Sequence, residues 1–200
     1  MRRMLGAVML AMALCFGTAA FAADTERVTF LEGVYSVAIP EGWDYDVEDH
    51  GMVVIQKEDT VGSVLLILPP IPALDMDDAV EFAATLLDIV AGFLGGVKEK
   101  ANFKGKLNDN DAETFIFDVT DEDGDGVATG GVAVVIYSGA PVIMLAMALK
   151  DDAEEFLPLA AGIMGSYEID LGKLKEMEKE LTEMGERFIE DVVKVLEEEG

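Results

Sequence analysis

Apolar and polar residues alternate along Val34–Pro40 (VYSVAIP) and again along Trp43–Asp49 (WDYDVED), a period of two that predicts strands. In the second segment acids fill the polar positions, so that strand has one wet face. Short apolar runs at Met52–Gln56 and Ser63–Leu68 add two more strands. Pro69, Pro70 and Pro72 then end the sheet edge and forbid a helix. Beyond them the period changes. Val80, Ala83, Leu86, Leu87, Val90 and Leu94 recur at helical spacing. Asp75 is placed to cap this helix, Asp77 and Asp78 suit its first turn, and Gly95-Gly96 stops it.

Lys98–Leu107 begins a second sheet segment, Asn108–Asp111 is a turn, and Glu113–Thr120 follows as a strand with Phe115, Phe117 and Val119 on one face. After an acidic loop, Val127–Tyr137 and Val142–Leu149 flank a Ser-Gly-Ala-Pro turn and complete a meander. Val127–Leu149 holds 23 residues without a charge, long enough to span a membrane. Gly130-Gly131, the central turn and the missing basic flank favour two buried strands instead. Strands apolar on both faces require a sheet covered on both sides. Asp151–Met164 predicts a second helix. In the last segment, residues 171–200, Leu174, Met177, Leu181, Met184 and Phe188 form one stripe of an acidic amphipathic helix, which suits packing on its own domain first, and a second copy or a partner's groove as alternatives.

The first 22 residues stand apart. Arg2-Arg3, an apolar run from Leu5 to Phe16, and Ala20-Phe21-Ala22 compose a secretory signal peptide of bacterial type, 1–22. Cys15 follows Leu14 rather than the small residue a lipoprotein signal needs. Cleavage leaves one domain, 23–170, and its helical extension, in a periplasmic or secreted protein without a transmembrane segment. That chain has no cysteine, so packing alone stabilises it. It carries 12 basic against 40 acidic residues, a net charge of −28. Such a surface repels nucleic acid and anionic lipid and suits plain solubility first, and cations or basic proteins besides.

Tyr35–Asp59 (YSVAIPEGWDYDVEDHGMVVIQKED), an alternating strand, Pro-x-Gly-Trp and a hairpin, resembles the opening of PsbP-like and DcrB-like proteins, which include a eukaryotic Ran-binding member. The resemblance runs from about Val28 to Glu168. It implies an α+β fold, a single antiparallel sheet between helices in an α/β/α sandwich. Family roles range over photosystem assembly, small-GTPase binding and envelope functions, which share binding rather than catalysis. No catalytic set carries over. Pro40, Gly42 and Trp43 match the pattern as a strand end, a turn and a core aromatic.

Asp121, Asp123 and Asp125, followed by Gly126, begin as a calcium loop does, but Val132 stands where an EF-hand needs its bidentate glutamate. A hairpin-tip Ca2+ site is one reading, and a turn rich in Asp and Gly is the other. His50, the single histidine, is expected in a solvated turn. The chain lacks the nucleophile-elbow, phosphate-loop and zinc-protease motifs. The sequence therefore predicts a non-enzymatic envelope protein that binds a protein partner or itself through the sheet or the stripe Leu174, Met177, Leu181, Met184 and Phe188. The alternative is a cation- or small-ligand-binding protein using the acidic loops.

Overall fold

The computed structural model describes residues 24–57, 63–92, 96–121 and 123–199. The expected signal peptide and Gly95 of the expected Gly95-Gly96 helix stop lie outside them, while Gly96 opens the sixth strand. Ten strands and four helices follow in order: β1 (Thr25–Phe30), β2 (Tyr35–Pro40), β3 (Trp43–Val47), β4 (Val53–Lys57), β5 (Val64–Ile67), α1 (Met76–Gly92), β6 (Gly96–Leu107), β7 (Asn110–Thr120), β8 (Gly126–Tyr137), β9 (Ala140–Leu149), α2 (Ala153–Gly165), β10 (Glu168–Ile169), α3 (Leu171–Glu176) and α4 (Glu178–Glu199). A seven-stranded antiparallel sheet has the order β3-β4-β5-β9-β8-β7-β6. The fold is α+β, as the resemblance implies.

The uncharged stretch forms β8 and β9, joined by Ser138-Gly139 with φ of 51° and 90°. Positive φ at both central residues matches the twist of a two-residue hairpin. Among the described residues no helix is long and apolar enough to cross a membrane. The central strands are buried on both faces. Val132, Val134, Ile143 and Leu145 face α1 with Phe117 and Val119, while Ala133, Val135, Val142 and Met144 face the opposite layer. Asp75 starts α1 as its type requires, accepting the Asp78 backbone N–H at 3.0 Å.

The resemblance implies one sheet, and the protein has a second. β2 pairs with β1 and β10 in a three-stranded sheet of order β1-β2-β10. Both of its outer strands are polar and short, so neither has a clear period in the sequence. With α2 it covers the face of the main sheet opposite α1. Tyr35, Tyr167, Phe156 and Trp43 fill the space between, and Trp43 stacks on Phe156 at 5.1 Å.

Helix α4 joins the two cores. Leu181 belongs to the core under the small sheet and Val192 to the core under α1. Between them Gly185 passes Ile71 so closely that a Cβ would lie 2.7 Å from its Cγ2. Phe188 then meets Phe82 edge-on at 5.8 Å. Its neighbour α3 steadies a strained turn. Leu31, Glu32 and Gly33 all take left-handed backbone, with φ of 49°, 54° and 90°, which is costly for the two that carry a Cβ. The Lys173 ammonium donates to the Glu32 carbonyl, and the Asp170 N–H donates to Val34 at 2.8 Å.

A buried carboxylate lies on the α1 face of β7. Glu113 is 6% exposed and accepts from Asn102 Nδ2 at 2.9 Å, with Lys104 Nζ at 2.9 Å. Burial pushes its pKa up, but those two partners outweigh burial and hold it below the ordinary carboxylate value. A depressed folded pKa contributes stability above the unfolded value of about 4.3, and that stability is lost as pH falls through the folded value. Urea titrations are therefore expected to show a shallower acid-side loss of stability for Glu113→Gln than for the parent. Parallel acid limbs would show that the carboxylate contributes nothing.

Candidate functional site

The acidic loop closes on itself. Asp121 Oδ1 accepts the Asp125 N–H at 2.8 Å, and the Asp121 N–H returns a bond to the Asp125 carbonyl at 2.9 Å. Asp123 and Asp125 are exposed, and Glu122 lies outside the described residues. Among the described residues no three His, Cys, Asp or Glu side chains stand together as a metal ion requires. The structure thus places Asp121, Asp123 and Asp125 in one tight turn between β7 and β8, without bringing their carboxylates together.

The apolar stripe faces its own domain. Leu174 and Leu181 are 7% and 1% exposed, Met177 packs on the same core, and Phe188 packs on Phe82. Met184 lies beside Gly51 and Leu31, as its sulfur would be 3.2 Å from a Cβ on Gly51. With the helix seated, Leu174 and Leu181 are buried and Met177, Met184 and Phe188 are half-buried. His50 departs from the solvated turn expected of it. Held at φ 65°, its ring is 6.0 Å from Phe188, and Nε2 is 3.3 Å from Asp191 Oδ2. The Asp191 carboxyl is drawn below its ordinary value by Lys194 first and by His50 in addition.

A different surface is open. The alternation along β3 puts Trp43, Tyr45 and Val47 on one face, and the period predicts cover for all three. Only Trp43 is buried. Tyr45 is 44% and Val47 56% exposed, because the covering layer ends at Phe30, whose ring meets Tyr45 edge-on at 5.4 Å. β3 is also the outermost strand of the main sheet. Its other face carries exposed Asp44 and Asp46, and Glu41 and Glu48 flank its ends. An aromatic and an aliphatic side chain thus stand at a sheet edge that no other described strand pairs, among four carboxylates. Nothing in a strand's period tells whether the covering layer reaches its last residues, so this patch is illegible in the sequence.

Inward from that edge runs a column of rings. Phe30 stacks on Tyr35 at 5.3 Å, Tyr35 on Tyr167 at 5.1 Å, and Tyr167 meets Tyr137 at 5.1 Å. Burial raises all three tyrosine pKa values, that of Tyr137 to about 12, with the neighbouring Asn108 side chain pulling the other way. The hydroxyls of Tyr137 and Tyr167 make no well-formed hydrogen bond. They remain neutral phenols at any physiological pH. The column is a packing spine, not a proton relay.

No family model and no curated protein matches the chain. Solved structures do. The chain is similar to the cyanobacterial PsbP (CyanoP) of Synechocystis sp. PCC 6803, with a TM-score of 0.57 at 14% identity, over 76% of this chain and 96% of that one. A looser similarity, with a TM-score of 0.44 at 16% identity, extends to LpqN of Mycobacterium tuberculosis, a protein involved in cell envelope biogenesis, over 73% of this chain and 90% of that one. The fold is PsbP-like.

Proposed function

We propose that the protein is an extracytoplasmic, non-enzymatic binding protein that docks a basic protein partner at the β3 edge. The observation that carries this reading is the exposed pair Tyr45 and Val47, 44% and 56% accessible, set among Asp44, Asp46, Glu41 and Glu48. Exposed aromatics on an open edge are the anchors that interfaces use, and a net charge of −26 steers a basic surface toward them. The same acids oppose pairing of this edge with a second copy, since like charges would meet. The leader of residues 1–22 supports export, and the PsbP-like fold agrees with a binding role.

The test places a photoreactive residue at Val47 in cells, with Lys179, 92% exposed on α4, as the control position. A discrete adduct is expected from position 47 alone. The purified adduct protein should bind the parent and lose about 2 kcal/mol, roughly 30-fold in affinity, when Tyr45 and Val47 are both alanine. Binding should also weaken with salt. An adduct protein that binds the double variant as tightly as the parent would sink the reading.

A further inference from the structure

Three parts of the chain meet at one end of the main sheet: the Asn108-Asp109 turn after β6, the Ser138-Gly139 turn after β8, and the segment Gly165–Ile169 that leaves α2 and forms β10. Between them and Arg27 opens a cleft of about 560 Å³, within the range of small-ligand sites. It shares no residue with the β3 edge.

The chemistry of the cleft follows from which polar groups are already engaged. Asn108 Nδ2 donates to the carbonyls of Gly165 and Tyr167 at 2.9 and 3.2 Å, which uses both of its hydrogens. Asn110 Nδ2 donates to the Asn108 carbonyl at 2.7 Å. Arg27 Nη1 serves Ser36 Oγ at 3.0 Å and the Ser166 carbonyl at 3.2 Å, and its Nη2 pairs with Glu168 Oε1 at 3.2 Å. Arg27 and Asn108 are thereby committed to capping the C-terminus of α2 and holding β10. Among the described lining residues, Oδ1 of Asn110 and the second oxygen of Glu168 are side-chain acceptors without a hydrogen bond.

The electrostatics point the same way. Arg27 is the cation among the lining residues, and Glu168 neutralises it. The C-terminal end of α2, whose dipole favours positive charge, borders the cleft. The surrounding protein is strongly acidic. An anionic ligand would meet an Arg27 already neutralised by Glu168 and a repelling field. An ammonium group brings three donors and a positive charge.

We propose that this cleft binds a small organic cation bearing primary ammonium groups, of the linear polyamine class. Spermidine is the probe, titrated into ¹⁵N-labelled protein from Ala23 onward, which holds every described residue, at a salt concentration of about 150 mM. The amide signals of Asn108, Asn110, Ser138 and Glu168 are expected to shift together and saturate, and magnesium should leave them in place. Glu168→Gln leaves Arg27 uncompensated and turns a neutral lining positive, so affinity should fall about ten-fold or more. Glu183→Gln on α4 makes the same change in net charge elsewhere and should leave affinity unaltered. Asn110→Lys, which puts a cation into the cleft from the half-buried first residue of β7, should also abolish binding and does not depend on the fold of the Glu168 variant. Shifts spread over the acidic surface, equal losses in the Glu168 and Glu183 variants, or no saturable shift would each overturn the proposal.

Discussion

Removing residues 171–200 is expected to abolish cooperative folding of the remainder. Leu181 and Val192 lie in different cores, at 1% and 8% exposure, and Leu174 joins the first at 7%. Met177, Phe188 and Ile189 add partial cover to both. Each fully buried aliphatic side chain contributes about 1.5–3 kcal/mol. Three of them, with the partly buried ones, approach the whole stability of a typical domain, about 5–15 kcal/mol. The cut would also release Lys173 from the strained turn at Leu31–Gly33. Urea unfolding followed by circular dichroism reads the result. The parent should show one sharp transition and the protein ending at Asp170 none, while Leu181→Ala alone should lose about 2–5 kcal/mol. A truncated chain with an unchanged midpoint would make the helix an appendage.

Gly130→Ala is expected to lose about 3 kcal/mol or more, an unusual penalty for adding one methyl group. Gly130 sits in the middle of β8, between β7 and β9, in register with Phe117 and Met147. A Cβ there would be 2.7 Å from Phe117 Cζ and closer still to the carbonyl oxygen of Ala146. The ring belongs to the α1 core and the carbonyl to the sheet backbone, so neither can yield cheaply. Gly126, at the start of the same strand, is the matched control, because a Cβ there meets nothing within 4 Å. Gly126→Ala should be close to neutral. Equal midpoints for the two variants in thermal or urea melts would mean that the sheet opens at Gly130 to admit the methyl.

Both effects turn on details that pattern alone does not carry. The spacing of Leu174, Leu181 and Phe188 predicts an amphipathic helix, but it equally suits a partner's groove, a second copy or the helix's own domain. Chain connectivity decides among these: Asp170 N–H bonds to Val34 and sets the helix down across the end of the sheet. Likewise Asp121, Asp123 and Asp125 have calcium-loop spacing, yet Asp121 is engaged by the Asp125 N–H within its own turn. β1 and β10 are missed for a simpler reason. β1 is mostly exposed and polar, and β10 is two residues long, so neither has enough period to register.

The sequence by itself determined the elements whose signals are local. Apolar period marks β2 to β9 and α1, α2 and α4, Asp75 and the prolines mark boundaries, and the Ser-Gly-Ala-Pro turn separates two buried strands from a membrane span. The Pro-x-Gly-Trp opening carried the resemblance to the fold that CyanoP shares. Only tertiary structure decided where the layers stop and which groups remain unengaged. Tyr45 and Val47 are open because the small sheet ends at Phe30. The cleft keeps unengaged acceptors because Asn108 spends both amide hydrogens on Gly165 and Tyr167 and Arg27 is paired with Glu168. Both outcomes depend on residues far apart in the chain, whose distances are set by packing and not by any sequence period.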